Sequence, residues 1–497
     1  MEKIKKDDSY AHILKYTGVF GGVQGLNILV GIVRNKLVAM ILGPAGMGLM
    51  SLFNSTIKLI SDSTNLGIPM SAVREISDAY ENGNMHKIEH IVKLIRVWSF
   101  LTAVLGMMVC IVMSPLLNKW TFNWGDHTIH FIFLSPVVAL TAIMGGELAI
   151  LKGTRQLKHL AVLSVYGVLG ALVTSTPLYY IWKEQAIVPS LIIIALVQLL
   201  FTILYSYRIF PLRLQFQRKL IGEGMGMAKL GVAFVIAGIF GSGAEFLIRT
   251  FLNNAGSLWH VGLYNAGYMM TMTYAAMVFQ AMETDYYPRL SSIQGIGEKL
   301  NLVVNRQVEV SLLLVSPLLV LFLVGLPILL PLLYSGKFLP VMGMMKLAIL
   351  AMYVRAVVLP IEYIALSKGD SKAYLLQELV YDVMVVSCVT MGYHIWGLMG
   401  TGVGLLISGM IGLLFDLIFC HVKYQFHLSR TVILYGAIHV PIGFCTYLMS
   451  LSIHGFWYWL LGILLIIASF VVSIQILHSK SHLWESLMAK VKAKLRK

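Results

Sequence analysis

The chain has 497 residues, of which 58% are hydrophobic and 12% charged, and a formal net charge of +15. No single soluble core could bury that much apolar side chain, so lipid has to act as solvent for much of the protein. Stretches such as 191 to 205 and 457 to 473 are almost continuously apolar, which excludes the alternating segments of about ten residues that build a membrane barrel.

The first apolar run is long and follows Lys3, Lys5, Lys6, Asp7 and Asp8 with no small-residue cleavage site after it, so the sequence predicts a retained first helix rather than a leader. Apolar runs of about 20 residues, each able to cross about 30 Å of hydrocarbon, then recur along the chain. Six are predicted at 14 to 42, 46 to 68, 94 to 117, 128 to 151, 159 to 181 and 187 to 207. Six more follow at 227 to 253, 259 to 282, 303 to 332, 341 to 366, 374 to 395 and 398 to 421, and a last pair at 431 to 452 and 456 to 477. Two basic amphipathic pieces, 210 to 220 and 484 to 497, are expected on the membrane surface. The expected fold is thus an all-α polytopic membrane protein of about fourteen transmembrane helices.

Charge placement sets the topology. With the N-terminus in the cytoplasm, inner loops and tails hold about 29 of the 38 Lys and Arg residues, and outer loops hold only Lys119, Lys183, Lys337 and Lys346. The positive-inside rule then places both termini in the cytoplasm. The basic charge is explained by topology, and no nucleic-acid partner is expected, because no basic face is interleaved with aromatics in a soluble domain. Cys110, Cys388, Cys420 and Cys445 lie inside apolar runs without metal or disulfide spacing and read as small core residues.

An internal repeat runs through the first twelve helices. Arg34 matches Arg249, Gly48-Leu49 matches Gly262-Leu263, Arg74 matches Arg289, Glu147 matches Glu362, Lys152-Gly153 matches Lys368-Gly369 and Tyr166 matches Tyr381, all at an offset of about 215 residues. Six helices per copy is an even number, so two parallel six-helix lobes are expected, related by an axis along the membrane normal with a pathway between them. The predicted division is an N-lobe at 1–208, an amphipathic cytoplasmic linker at 209–226, a C-lobe at 227–425, two extra helices at 426–478 and a basic cytoplasmic tail at 479–497.

Ionisable residues inside the spans are the informative ones, because a cation at bilayer depth costs about 2.5 to 3.5 kcal/mol on insertion scales and needs a partner, a wet cavity or an escape to the surface. Arg34, Lys58, Arg249 and Arg355 are candidates for a cationic cavity, where a guanidinium suits phosphate or pyrophosphate. The repeat axis would bring Arg34 and Arg249 to facing walls. The bland alternative is structural pairing, since Glu245 precedes Arg249 by four residues and Asp62 follows Lys58 by four. Glu147, Glu362 and Asp382 are candidates for coupling to a proton or sodium ion, or else partners of neighbouring cations such as Lys152. No cofactor is expected. His86, Glu89 and His90 match a zinc-protease spacing but sit in a charged loop without a third ligand, so a solvated helix is expected there, and Gly336-Lys337 lacks the rest of a P-loop. Gly18, Gly21, Gly22 and Gly25 suit close helix packing.

The stretch from Lys36 through Gly43-Pro44-Ala45-Gly46-Met47-Gly48-Leu49, with Asn65 to Ile68 and Arg74 beyond it, resembles the opening of the Wzx-type O-antigen and enterobacterial common antigen flippases. The six-plus-six layout is similar as well. This resemblance implies the fold of the multidrug/oligosaccharidyl-lipid/polysaccharide exporter superfamily, with two lobes in a V, alternating access and a location in the bacterial inner membrane. It implies a partner lipid carrying an oligosaccharide on undecaprenyl pyrophosphate, a role in O-antigen or lipopolysaccharide biosynthesis, and contact with a polysaccharide polymerase or other assembly proteins. Arg34 and Lys36 sit where the first-helix cations of these and of the lipid II flippases fall. Ile28 stands where lipid II flippases would carry a second arginine, whereas the count of fourteen helices agrees with them. A drug or cation exporter of the same superfamily is the nearest rival, but 11 to 42 contains no Asp or Glu. A membrane polysaccharide polymerase would be expected to carry a larger outer loop.

Overall fold

The structure is a computed structural model that describes residues 2–212, 218–273, 279, 286–287 and 289–480. The predicted surface piece at 484 to 497, and parts of the one at 210 to 220 and of the eighth helix, lie outside the described residues. Among the described residues the protein is all-helical. Ten stretches are long and apolar enough to cross a membrane, and the protein is a multi-pass membrane protein.

The first half comprises α1 (Glu2–Thr64), α2 (Ile68–Glu81), α3 (Met85–Thr121), α4 (Thr128–Gly153), α5 (Leu157–Trp182), α6 (Ile187–Ile209), α7 (Arg218–Ala255) and α8 (Leu258–Tyr268). The second comprises α9 (Glu298–Leu333), α10 (Met342–Ser367), α11 (Ser371–Tyr424), α12 (Arg430–Ser452) and α13 (Phe456–Lys480). Two of these are pairs of helices joined by a kink. α1 breaks at Gly43, whose φ of 66° falls in the left-handed region, and the following Pro44 cannot donate to the preceding turn. α11 breaks at Trp396 and Gly397 (φ 59°). Both breaks coincide with the predicted boundaries between the first and second and between the eleventh and twelfth helices.

α2 is an addition to the predicted elements. Its buried face of Ile68, Ala72, Ile76 and Ala79 repeats at helical spacing and enters a core with Ile88, Ile95 and Trp98 of α3. A helix of 14 residues with one apolar face is too short and too polar to be found by a search for long apolar runs.

The chain divides into two compact units, residues 1–262 with 332–337, and residues 263–331 with 338–497. In the first, α7 is fixed along its length. Asn253 and Asn254 donate to the carbonyls of Thr121 (2.8 Å) and Trp120 (2.7 Å) at the end of α3, and at the other end Glu223 meets His90 at 2.7 Å. That contact gives His90 of the protease-like motif a surface hydrogen-bonding role, and no cluster of three or more metal-ligand side chains occurs among the described residues.

In the second unit, two asparagines one turn apart on α9 hold the segment between α11 and α12. Asn301 donates to the carbonyl of Gln425 (3.1 Å) and accepts from the amide of His427 (2.9 Å). Asn305 repeats this pattern with the carbonyl of His427 (3.0 Å) and the amide of Ser429 (2.7 Å). An extended segment whose backbone groups would otherwise lack partners is satisfied in this way, and its direction sets where the last two helices begin. α12 and α13 then pack on α9, with Met449 of α12 and Tyr458 of α13 meeting Val324, and the Tyr458 hydroxyl donates to the Val324 carbonyl at 2.8 Å.

The kink in α11 brings its two ends together. Asp370 caps the start by accepting from the amide of Ala373 (3.1 Å), while its other oxygen meets Lys423 Nζ at 2.5 Å and accepts from the Tyr424 hydroxyl at 3.0 Å. The hydrogen bond from Lys423, followed by those from Ala373 and Tyr424, holds the Asp370 carboxyl below its ordinary range. A carboxyl depressed in the folded state adds stability above its unfolded pKa of about 4 and loses it as pH falls through the lower folded value. Asp370→Asn should therefore unfold at a lower temperature than the parent at neutral pH, and the gap should close in acid below about pH 4. Thermal unfolding of both proteins across that range checks the sign.

Candidate functional site

The half of α1 beyond the Gly43 kink has a polar face. Ser51, Asn54, Lys58, Asp62 and Asn65 recur at spacings of three and four residues and therefore lie along one stripe. Asn54 and Lys58 are exposed, and the Lys58 side chain retains 51% of its accessibility. A stripe of this polarity in a membrane-crossing helix does not face hydrocarbon but the bundle interior or a water-filled cavity.

α7 lies against this stripe. Gly48 contacts the backbone of Leu258 and Gly262, and Gly67 contacts Gly231, so that a Cβ at any of these glycines would meet backbone atoms below 3.0 Å. Between the two glycine contacts the seam is polar. Lys58 Nζ donates to Glu245 Oε1 at 2.7 Å, and Arg249 Nη1 donates to Glu245 Oε2 at 3.2 Å. Arg249 Nε donates to Ser51 Oγ at 2.8 Å and Nη1 also to the Glu245 carbonyl at 3.1 Å. Asp62 lies within electrostatic reach of Lys58 and Glu245 and beside Ser242. A Cβ built on Gly238 would lie 3.7 Å from that of Asp62.

Of the predicted cations, Lys58 and Arg249 are thus brought together on one carboxylate. Arg34 is directed elsewhere: it lies before the kink and interacts with the hydroxyl of Tyr179 on α5, which itself accepts from Ser190 at 2.6 Å. The Arg34 Nε is buried and has no hydrogen-bond partner among the described residues. Lys36 is half-buried on the same helix. Arg355 is in the second unit, where its Nη1 donates to Tyr381 (3.1 Å) and its guanidinium lies 5.5 Å from the centre of that ring. It borders a small recess, partly open to the outside, with Met272, Val358, Tyr381 and Leu405. Glu362, one of the predicted coupling carboxylates, interacts electrostatically with Arg355, Glu378, Asp382 and Asp416, and Asp416 is buried and accepts from Gln377 Nε2 at 2.8 Å.

Glu147 has a different setting, although it is the repeat mate of Glu362. It is 2% exposed and faces Arg96, 6% exposed, through two bonds of 2.8 and 3.2 Å, and it also accepts from Ser206 at 2.5 Å. Arg96 completes its shell with the carbonyls of Phe210 (2.8 Å) and Pro211 (3.0 Å) and stacks 4.5 Å from the centre of the Tyr207 ring. The partner is Arg96 on α3 rather than the neighbouring Lys152. Both carboxylate oxygens are committed, which suits a clamp holding the end of α6 better than a proton carrier.

Arg96, Glu378 and Asp416 are the site residues that sequence reasoning missed. Arg96 follows Lys93 and belongs by position to the basic inner border of its helix, so its burial leaves no trace in the sequence. Asp416 did leave a signal, a lone acid inside the apolar run from Leu413 to Phe419.

The sequence profile of the polysaccharide biosynthesis protein family matches residues 13–294. The chain belongs to this family. No relative is found among curated proteins. Among solved structures, the lipid II flippase MurJ in an inward closed conformation is similar over 93% of this chain and 99% of its own, with a TM-score of 0.73 and 14% identity. An inward-facing MATE multidrug resistance transporter of the MOP superfamily is similar over 81% of this chain and 94% of its own (TM-score 0.58, 16% identity). A MOP superfamily transporter from Pyrococcus furiosus is similar over 82% and 94% (TM-score 0.53, 14% identity). The fold is that of the MurJ and MATE structures.

The Arg96–Glu147 clamp supplies a test of what the ion pair does. Arg96→Met alone strands a buried carboxylate and should cost about 3 to 5 kcal/mol, seen as a lost folded fraction on size exclusion. Arg96→Met with Glu147→Leu should recover most of the folded protein, because replacing both charges by apolar groups removes the unpaired one.

Proposed function

We propose that the protein is a flippase that carries an undecaprenyl-pyrophosphate-linked oligosaccharide, an O-antigen or similar surface-polysaccharide repeat unit, from the inner to the outer leaflet of the bacterial cytoplasmic membrane. The observation that carries this reading is the pair Lys58 and Arg249, two cations on one water-facing seam of a polysaccharide-biosynthesis transporter. A pyrophosphate offers several charged oxygens, and charge-assisted hydrogen bonds to ammonium and guanidinium donors match them. The sugar's hydroxyls, each costing about 2 to 7 kcal/mol to bury unpaired, need a wet path. The polyprenyl tail needs none and stays in lipid.

Movement follows alternating access between the two sequence repeats, the first at 1–208 and the second at 227–425, each of six helices, with 426–478 adding the last two of about fourteen. The α1–α7 seam, whose partners come from different repeats, is the contact that has to part. Arg34 with Tyr179 and the neighbouring Lys36 on the first part of α1 add a separate cationic point, and Arg355 with Tyr381 offers a further anion-binding point. Both termini lie in the cytoplasm by the positive-inside asymmetry. Coupling to a proton or sodium ion is assigned to Glu362 and Asp382, where carboxylates outnumber the cation Arg355 and the excess favours taking up a positive charge. The lipid II class shares the pyrophosphate head group and is a second reading, favoured by the MurJ likeness extending over 93% of the chain.

Vesicles containing the purified protein should expose a labelled lipid-linked oligosaccharide on the far leaflet, and Lys58→Gln should slow this by roughly tenfold, the equivalent of one charge-assisted bond. Labelled lipid II in the same vesicles separates the two substrate classes. Joining Asp62→Cys to Gly238→Cys, at a Cβ spacing suited to a disulfide, should stop transport when oxidised and restore it on reduction, relative to each single variant. Failure to move either lipid would refute the flippase reading.

A further inference from the structure

We infer that Glu245 is a built-in competitor for the substrate's anion, so that binding the anionic head group and breaking the Glu245–Lys58 tie between α7 and α1 are one event. This deepens the proposed function and rests on its reading of Lys58 and Arg249 as anion-binding groups. Glu245 gives one oxygen to each cation, Oε1 to Lys58 at 2.7 Å and Oε2 to Arg249 at 3.2 Å. An incoming phosphate oxygen that takes over these two N–H donors takes the place of the carboxylate oxygen already there, and it competes with Glu245 for the charge of both cations.

The accessibilities fit a displaceable group. Arg249 is almost fully buried, with 7% of its side-chain surface exposed, and is further fixed by Ser51, whereas Glu245 keeps 31% and Lys58 keeps 51%. The immobile member of the trio is therefore a cation, and the members open to water are the competing carboxylate and the second cation.

The two bonds made by Glu245 differ in what they connect. The bond to Arg249 lies within one turn of α7, so losing it changes no helix contact. The bond to Lys58 crosses from α7 to α1. A ligand that binds the two cations in place of Glu245 removes that crossing bond and transfers this tie between α1 and α7 from the protein to the ligand, leaving Arg249 with Ser51 as the protein's own polar link there. Asp62, near both Lys58 and Glu245, adds a like charge that weakens the hold of Glu245 on Lys58.

The test measures binding of inorganic pyrophosphate to the full chain in nanodiscs of zwitterionic lipid, for the parent and for Glu245→Gln, Glu245→Asp and Lys58→Gln. Removing the competing charge should tighten pyrophosphate binding about tenfold in Glu245→Gln, and Lys58→Gln should weaken it about as much. Glu245→Asp, one methylene too short to hold both cations, should fall between the parent and Glu245→Gln and decides the matter if the latter fails to fold. In vesicles, Glu245→Gln should lower both the KM and the kcat for the lipid-linked substrate, because the group that displaces the bound anion is gone; a structural role would not give that split. If Lys58→Gln weakens binding but the Glu245 variants bind as the parent does or more weakly, the inference is wrong and the anion site stands. If pyrophosphate binds none of the four, the anion-binding reading itself fails and the inference with it.

Discussion

A charge in a medium that cannot solvate it must be paired, wetted or neutralised, and this constraint organises the protein more than any apolar contact does. Its apolar surface is abundant and unselective, because lipid and protein interiors solvate leucine about equally well. The ionisable groups have few tolerable places, and each place implies a different use. Arg96 and Glu147 satisfy one another in a dry site with carbonyls and a hydroxyl completing the shell. Lys58, Glu245 and Arg249 share one carboxylate between two cations at a wet surface. Arg355 leans on the hydroxyl and ring face of Tyr381 beside a recess. The first arrangement can hold only itself. The other two keep an opening through which another anion or cation can enter.

The glycine contacts show how a seam can hold charged groups and still part. At Gly48 with Gly262, and at Gly67 with Gly231, backbone touches backbone with no side chains interlocked. Contacts of this kind add dispersion energy but no rotamer lock, so parting them leaves few cavities and no tangled side chains. The specific ties lie between the two glycine points, where Glu245 bridges Lys58 and Arg249. Flat ends with polar ties between them concentrate control of the seam in a few charged residues, which a charged ligand can address.

Much of this fold was legible in the sequence because the bilayer imposes one length and one polarity on every crossing segment. The kinks at Gly43 and at Trp396–Gly397 fall where the apolar runs were separated, since both breaks rest on local chemistry, Pro44 after a glycine and a glycine after Trp396. α2 escaped because it buries one face without crossing anything. The site was partly legible. Lys58, Glu245 and Arg249 stand out as ions inside apolar runs, and the spacing of four residues already tied Glu245 to Arg249. That Lys58 pairs with Glu245, 187 residues away, is a tertiary fact that no local pattern encodes. Arg96 was hidden for a further reason: at the inner border of a crossing helix, an arginine that faces headgroups and one that is buried against a glutamate have the same neighbours in sequence.

The internal repeat marks positions without fixing their roles. Glu147 and Glu362 share a place in their repeats, yet Glu147 is closed off by Arg96 and Ser206, while Glu362 sits among Arg355 and three further carboxylates. The cations responsible have no counterparts of their own, since Ser311 stands one repeat beyond Arg96 and Leu140 one repeat before Arg355. The two positions match in sequence and differ in their side-chain surroundings. Both oxygens of Glu147 are engaged by Arg96 and one also by Ser206, so its charge is matched within the site, whereas around Glu362 one cation faces four carboxylates; equivalence in the repeat does not carry over into equivalence in electrostatics.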